Sequence, residues 1–278
     1  MTGNPSPARI GLIGFGAVGH EVILCLERRG EIARVVGVLE QPEQVAAASA
    51  RAAGRFPVVG SIGELMAAQP DIVIEAAGHG AVLSFGAEIL SQGCDLLVAS
   101  TGALADQKFG RELADAARGT AEIWIAGGAV AGIDGLLAAR TAGMNNASYT
   151  SLKERKAWNG TPAEQLLDDR ADSERVIFFE GSAREAAILY PQNANVAATI
   201  ALAGLGLDRT RVKLGADPHV AGPLGIIEAD GDFGSFLFEI LALASPTNPK
   251  TSALTGHSLV VAACDGMRFR ARDLLKAS

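Results

Sequence analysis

The chain has 278 residues, 49% of them apolar and 33 of them glycine, with 5% aromatic and a formal net charge of −7. That length supports one large domain or two ordinary ones, and Ala-rich helices on a Val/Ile/Leu sheet suit the composition. The acidic balance argues against a nucleic-acid partner, and no long uncharged apolar run or export-type N-terminus points to a membrane.

In chain order, ARIGLIGFG predicts a short strand running into glycines, and AVGHEVILCLERRG predicts a helix. ARVVGVLE (strand), PEQVAAASARAAG (helix), DIVIEAAG (strand), AVLSFGAEILSQG (helix), DLLVAS (strand), DQKFGRELADAARG (helix) and AEIWIAGG (strand) follow. Strands separated by helices imply βαβ units with right-handed crossovers. The expectation is an α/β protein whose residues 1–130 form a Rossmann-type, doubly wound parallel sheet binding a dinucleotide.

From about Asn145 the texture changes. YTSLKERKAW, RVIFFEG, TRVKLGAD, LGIIEAD and FGSFLFEILALA read as closely spaced strands, with helices at SAREAAILY and NVAATIALAGLG. This predicts a second, α+β domain over 131–248, a sheet with helices on one face, for substrate and oligomerisation. NPKTSALTGHSLVVAACDG reads as helical, so 249–278 is expected to pack back on the first domain. Cys25, Cys94 and Cys264 are scattered and odd in number, with no zinc spacing. No metal site is expected, and a reducing cytoplasm is.

Gly14, Gly16 and Gly19 form G-F-G-A-V-G between the first strand and helix. One glycine permits the tight turn, one the approach of a pyrophosphate, and one close helix–strand packing; the anion then meets the amides of Gly16, Ala17, Val18 and Gly19. Glu40 ends the second strand about twenty residues on, where a carboxylate accepts from the ribose 2′-OH and repels a 2′-phosphate. NAD is favoured and NADP remains possible. Glu40 as an ordinary solvated strand-end carboxylate is the alternative. Small residues recur at the ends of later strands, in AAGHG, STGAL and GGAVAG. Ala77, Gly78 and His79 fall in the first of these, and His79 suits either a cofactor contact or a helix N-terminus.

With GFGAVG, EAAGH, STGAL and GAVAGID on one side and YPQNANVAA, DGDFGSF and NPKTSALT on the other, the chain resembles the L-aspartate dehydrogenases from its start to about Ala262. The resemblance implies NAD(P)-dependent, reversible oxidative deamination of L-aspartate to iminosuccinate, then oxaloacetate and ammonia. It implies a dicarboxylic amino or keto acid as the small-molecule substrate, and it carries cofactor contacts onto Ala129 and onto Asn195, the second of the pair with Asn193. An asparagine amide can pair with the nicotinamide carboxamide, although Asn195 also suits a helix N-cap.

The pattern breaks in DPHVAGPLG. The family's catalytic histidine falls on Gly225, and His219 stands six residues earlier. Lys153 matches a lysine of the family's corresponding strand, and a lysine desolvated against an apolar wall can serve as a base. Lys153 and His219 are therefore the catalytic candidates, and Asn248 and Lys250 are candidates for binding a substrate carboxylate. His257 reads as a packed or interface histidine. Two further readings stay open: a relative acting on a different imine, ketone or amino acid, and a dinucleotide-binding protein without efficient turnover. The apolar strand FGSFLFEILALA suggests an intersubunit face and a homodimer.

Overall fold

The computed structural model describes residues 7–168, 173–191, 195–245 and 248–277. The first half runs β1 (Ile10–Ile13), α1 (Ala17–Arg28), β2 (Val35–Leu39), α2 (Val45–Ala52), β3 (Val58–Val59), α3 (Ile62–Ala67), β4 (Ile72–Glu75), α4 (His79–Ser91), β5 (Asp95–Val98), α5 (Gln107–Ala116) and β6 (Ile123–Ala126). Then come α6 (Ile133–Thr141), β7 (Met144–Lys153), α7 (Pro162–Asp168), β8 (Val176–Ser182), α8 (Ala183–Leu189), α9 (Asn195–Ala203), β9 (Arg211–Ala216), β10 (Leu224–Gly231) and β11 (Gly234–Leu241). The chain closes with β12 (Ala244–Ser245), β13 (Asn248–Ser252), α10 (Leu254–Asp265), β14 (Arg268–Arg270) and α11 (Arg272–Ala277).

Two compact units result. One gathers the chain up to Ser100 with Lys108–Gly128 and Leu254–Lys276; the other holds Thr101–Gln107 and Ala129–Ala253. The first contains a seven-stranded sheet in the order β14-β6-β5-β4-β1-β2-β3. Its strands are parallel except β14, which runs antiparallel to β6. Strands β1 and β4 are buried along their whole length, as a sheet covered on both faces requires. Their apolar side chains meet Val22, Ile23 and Leu26 of α1 in the core. Helix α10 packs on α1, where His257 sets Nδ1 3.3 Å from the Cys25 sulfur and Nε2 3.4 Å from Arg28. That is the packed-histidine role. The order reverses between β1 and β4, the switch point at which doubly wound sheets receive ligands.

The second unit is a five-stranded mixed sheet, β11-β10-β7-β9-β8, with α9 and α6 in contact with β7. Side chains on one face of β7, β9 and β10 alternate into the core, among them Ala147, Val212, Leu214, Ile227 and Ala229. Helix α9 is buried from Ala197 to Ala203, and its alanines permit close packing. A capping box at Ser182 and Glu185 starts α8.

Three sequence expectations are corrected. The strand expected from Tyr149 runs instead from Met144 to Lys153, and Arg155–Trp158 is a 3-10 turn. Trp158 is completely buried and donates from Nε1 to the Gly215 carbonyl at 3.2 Å, which pulls the chain out of the strand. NPKTS is strand β13, paired antiparallel with β12, so Asn248 and Lys250 belong to a short ribbon and the helix begins at Leu254. Short elements also punctuate the chain where no periodicity was read. Helix α3, for example, is held by a capping box of Ser61 and Glu64.

Candidate active site

The glycine loop follows from three different steric demands. Gly14 has φ +90°, and a Cβ there would lie 2.8 Å from the Ala77 Cβ. A Cβ on Gly19 would lie 2.0 Å from the Gly14 carbonyl oxygen, so only hydrogen allows α1 to approach β1 this closely. A Cβ on Gly16 would meet nothing within 4 Å. Gly16 is the N-cap of α1 and makes no side-chain cap, and the first helical bond runs from His20 N–H to Gly16 O at 2.8 Å. The amides of Ala17, Val18 and Gly19 precede that ladder and are available to an anion. A dinucleotide pyrophosphate fits this cradle.

Glu40 is tied to the same loop. One carboxylate oxygen accepts from Phe15 N–H at 2.5 Å and the other from Gln41 N–H at 3.2 Å. Arg51 donates to the Phe15 carbonyl at 3.0 Å, with its guanidinium 4.6 Å from the centre of the Phe15 ring. The peptide units flanking Phe15 are therefore held by a carboxylate on the N–H side and by a cation on the carbonyl side.

Glu75, the first residue of EAAGH but not among the candidate site residues, organises the next two loops. It is completely buried at the end of β4. Its Oε1 accepts from Ala77 N–H at 2.8 Å, Gly78 N–H at 2.7 Å and the Ser100 hydroxyl at 3.0 Å, while Oε2 accepts from Ser100 N–H at 2.9 Å. Four donors offset the cost of removing a carboxylate from water. The amides of Ala77 and Gly78 are consequently spent on Glu75. His79 opens α4 directly after Gly78, whose φ is +121°. The signal for Glu75 was a lone carboxylate ending an apolar strand.

In the second unit, Asn195 is the first residue of α9. Its Oδ1 accepts from Gly102 N–H at 3.0 Å, and its carbonyl accepts from the Thr101 hydroxyl at 2.7 Å. Thr101 also stands 3.0 Å from the Thr199 hydroxyl. The STGAL segment is thus stitched to the start of α9, and Asn193 lies outside the described residues. Ala129 sits half-buried in the turn that leads to α6.

Lys153 ends β7 half-buried, with Nζ 5.0 Å from the centre of the Trp158 ring. Burial lowers its pKa from 10.5 to about 8. Its carbonyl accepts from Asp217 N–H at 2.9 Å. The buried Asp217 carboxylate accepts from His219 N–H at 2.9 Å and from Arg175 Nε at 2.6 Å, and these bonds hold it below the usual carboxylate range. His219 itself lies exposed on the turn after β9. Gly225 pairs with Ser151 across β10 and β7, next to Tyr149. Only the backbone of Asn248 and Lys250 is described.

The model "Aspartate dehydrogenase, C-terminal" matches residues 134–264, and "Homoserine dehydrogenase, NAD binding domain" matches 14–125. The L-aspartate dehydrogenase of Cupriavidus taiwanensis is 41% identical over 256 residues, covering 90% of this chain and 94% of that protein. That of a Polaromonas species is 42% identical over 257 residues, covering 91% and 95%. Among solved structures, aspartate dehydrogenase from Thermotoga maritima superposes with a TM-score of 0.69 at 22% identity, covering 91% of this chain and 94% of that one. An amine dehydrogenase from Mycobacterium smegmatis gives 0.57 at 12% identity, covering 93% and 92%, and so shares the fold. With relatives above 40% identity spanning both units, the chain belongs to the L-aspartate dehydrogenase family.

Proposed function

We propose that this protein catalyses reversible NAD-dependent oxidative deamination of L-aspartate to iminosuccinate, which water converts to oxaloacetate and ammonia. The observation that carries the chemistry is Lys153, a strand-end lysine set against Trp158 and brought down to about 8 by burial. Bound NAD supplies the hydride acceptor. The substrate ammonium must lose a proton before hydride leaves Cα, and the neutral Lys153 amine takes it. In the reverse direction the Lys153 ammonium returns that proton. When protonated, Lys153 also places a cation where a dicarboxylate is to bind. His219 lies exposed on the turn after β9, whereas Lys153 is half-buried against Trp158, and the proton-transfer role is assigned to Lys153 on that geometry.

In this reading the amides of Gly16, Ala17, Val18 and Gly19 bind the pyrophosphate, and Glu40 reads the adenosine ribose. Ala77, Gly78, His79, Ala129 and Asn195 line the cofactor, and Asn248 and Lys250 hold a substrate carboxylate. Leu237 and Leu241, each 57% exposed on edge strand β11, support a homodimer. Three free cysteines support a cytoplasmic location. Gly225 favours a second reading, a related amino or imino acid as the true substrate. The test is NADH consumption with oxaloacetate and ammonia from neutral to alkaline pH. Turnover is expected. Protein that binds NADH yet consumes none would sink the proposal, and activity with another keto acid alone would select the second reading.

A further inference from the structure

Polar side chains on a helix-covered sheet face are costly unless they are hydrogen-bonded. Strand β7 nevertheless turns three in succession to that face: Tyr149, Ser151 and Lys153, the first two only 5% and 2% exposed. The neighbouring strand leaves room for them. Gly225 lies opposite Ser151, and Ile227 lies opposite Tyr149. A Cβ built on Gly225 would stand 3.1 Å from Tyr149 Cε2 and 3.3 Å from its hydroxyl oxygen. The phenol therefore leans diagonally across bare backbone, and its oxygen borders the space in which any side chain at 225 would begin. Ser151 hydrogen-bonds it there, and burial pushes the phenol up to about 12. Such a group keeps its proton at working pH and acts as a donor, never as a base.

We propose that Tyr149 is a catalytic hydrogen-bond donor to the C2 oxygen of the keto acid, and that Gly225 is bare to make room for it. This rests on the aspartate–oxaloacetate reading above. When water adds to the imine, the C–O bond forms as one water proton passes by way of Lys153 to the imine nitrogen. Collapse of the aminol breaks the C–N bond as the remaining hydroxyl proton follows the same route, and oxaloacetate and ammonia leave. The Tyr149 proton stays on the phenol throughout. Its hydrogen bond strengthens as negative charge gathers on the substrate oxygen, the situation in which a pre-positioned donor contributes most.

The experiment uses Tyr149→Phe, Gly225→Ala and the double variant in the full-length protein. It measures kcat with oxaloacetate and ammonia, NADH affinity, thermal midpoint, and binding of oxaloacetate to the protein–NADH complex without ammonia, read by NADH fluorescence. Tyr149→Phe is expected to lower kcat by about 10²-fold, as loss of one such donor does. It should weaken oxaloacetate binding and leave NADH affinity unchanged. Gly225→Ala crowds Cε2 in both backgrounds but the hydroxyl only in the wild type, so it should lower the thermal midpoint in both and lower kcat further only where the hydroxyl is present. Wild-type kcat and oxaloacetate affinity in Tyr149→Phe, or an equal fold-loss of kcat from Gly225→Ala in both backgrounds, would overturn the assignment. If the wild type binds oxaloacetate without turning it over, the aspartate reading fails alone, and the binding arm still decides for or against Tyr149. If the wild type binds none, both fail.

Discussion

Replacing Lys153 by methionine keeps an unbranched apolar stem and removes the titrating amine. At its ordinary value of 10.5, a lysine would be free base to about 0.3% at pH 8; at about 8 it is roughly half free base, a gain on the order of 150-fold. Wild-type deamination should therefore rise with pH through a limb near 8. Lys153→Met should lose about 10²–10⁴-fold in kcat together with that limb. Lys153→Arg should not restore it, because a guanidinium does not deprotonate. Stability supplies an independent check. The folded value lies below the unfolded one, so the unfolded chain binds more protons between about 8 and 10.5, and wild-type stability rises across that window. Below it, burying the charge costs up to about 3 kcal/mol, so Lys153→Met should be the more stable protein at neutral pH, with the gap closing towards 10.5. Steady-state kinetics and urea unfolding across pH measure both effects. A methionine variant that keeps the alkaline limb, or whose stability runs parallel to wild type at every pH, refutes the desolvated-base argument.

Glu75→Gln sets an amide nitrogen among donors that now face a carboxylate. It should cost about 3 kcal/mol in urea unfolding and weaken NADH binding measured by fluorescence; unchanged NADH affinity would separate these loops from the cofactor. The folded pKa of Asp217 is depressed, so its contribution is present above the ordinary 3.8 and is lost as pH falls through the lower folded value. Asp217→Asn should therefore flatten the acid limb of the stability curve, which melting at stepped pH will show. On the proposal that β11 forms a dimer face, glutamates at Leu237 and Leu241 together should shift the protein to monomer in light scattering; an unaltered mass would remove β11 from that proposal.

Much of this fold is legible because its signals are local. Buried parallel strands such as IGLI and IVIE are unbroken apolar runs, and the glycine loop between β1 and α1 carries its own steric logic. The misread elements depended on distant partners. ERKAW leaves β7 because Trp158 finds the Gly215 carbonyl, and NPKTS pairs with β12 instead of starting a helix. The same holds at the site. Lys153 is nameable from its strand, but the relation of Tyr149 to Gly225 exists only once the register of β7 and β10 is set. Glu75 and Ser100 open the EAAGH and STGAL stretches, but their pairing shows only in the fold, because twenty-five positions separate them.

The hold on Phe15 bears on any attempt to change the dinucleotide this protein prefers. Glu40, the residue one would replace to admit a 2′-phosphate, also holds the Phe15 amide, while Arg51 holds its carbonyl. Exchanging Glu40 leaves that N–H without its acceptor, at about 1–3 kcal/mol if the position stays dry. It also frees the Gly14–Phe15 peptide plane to rotate within the loop proposed to bind the pyrophosphate. On the proposed roles of Glu40 and the glycine loop, ribose selectivity and phosphate grip are wired through one amide, and a change of cofactor needs a second substitution that accepts from Phe15 in place of Glu40.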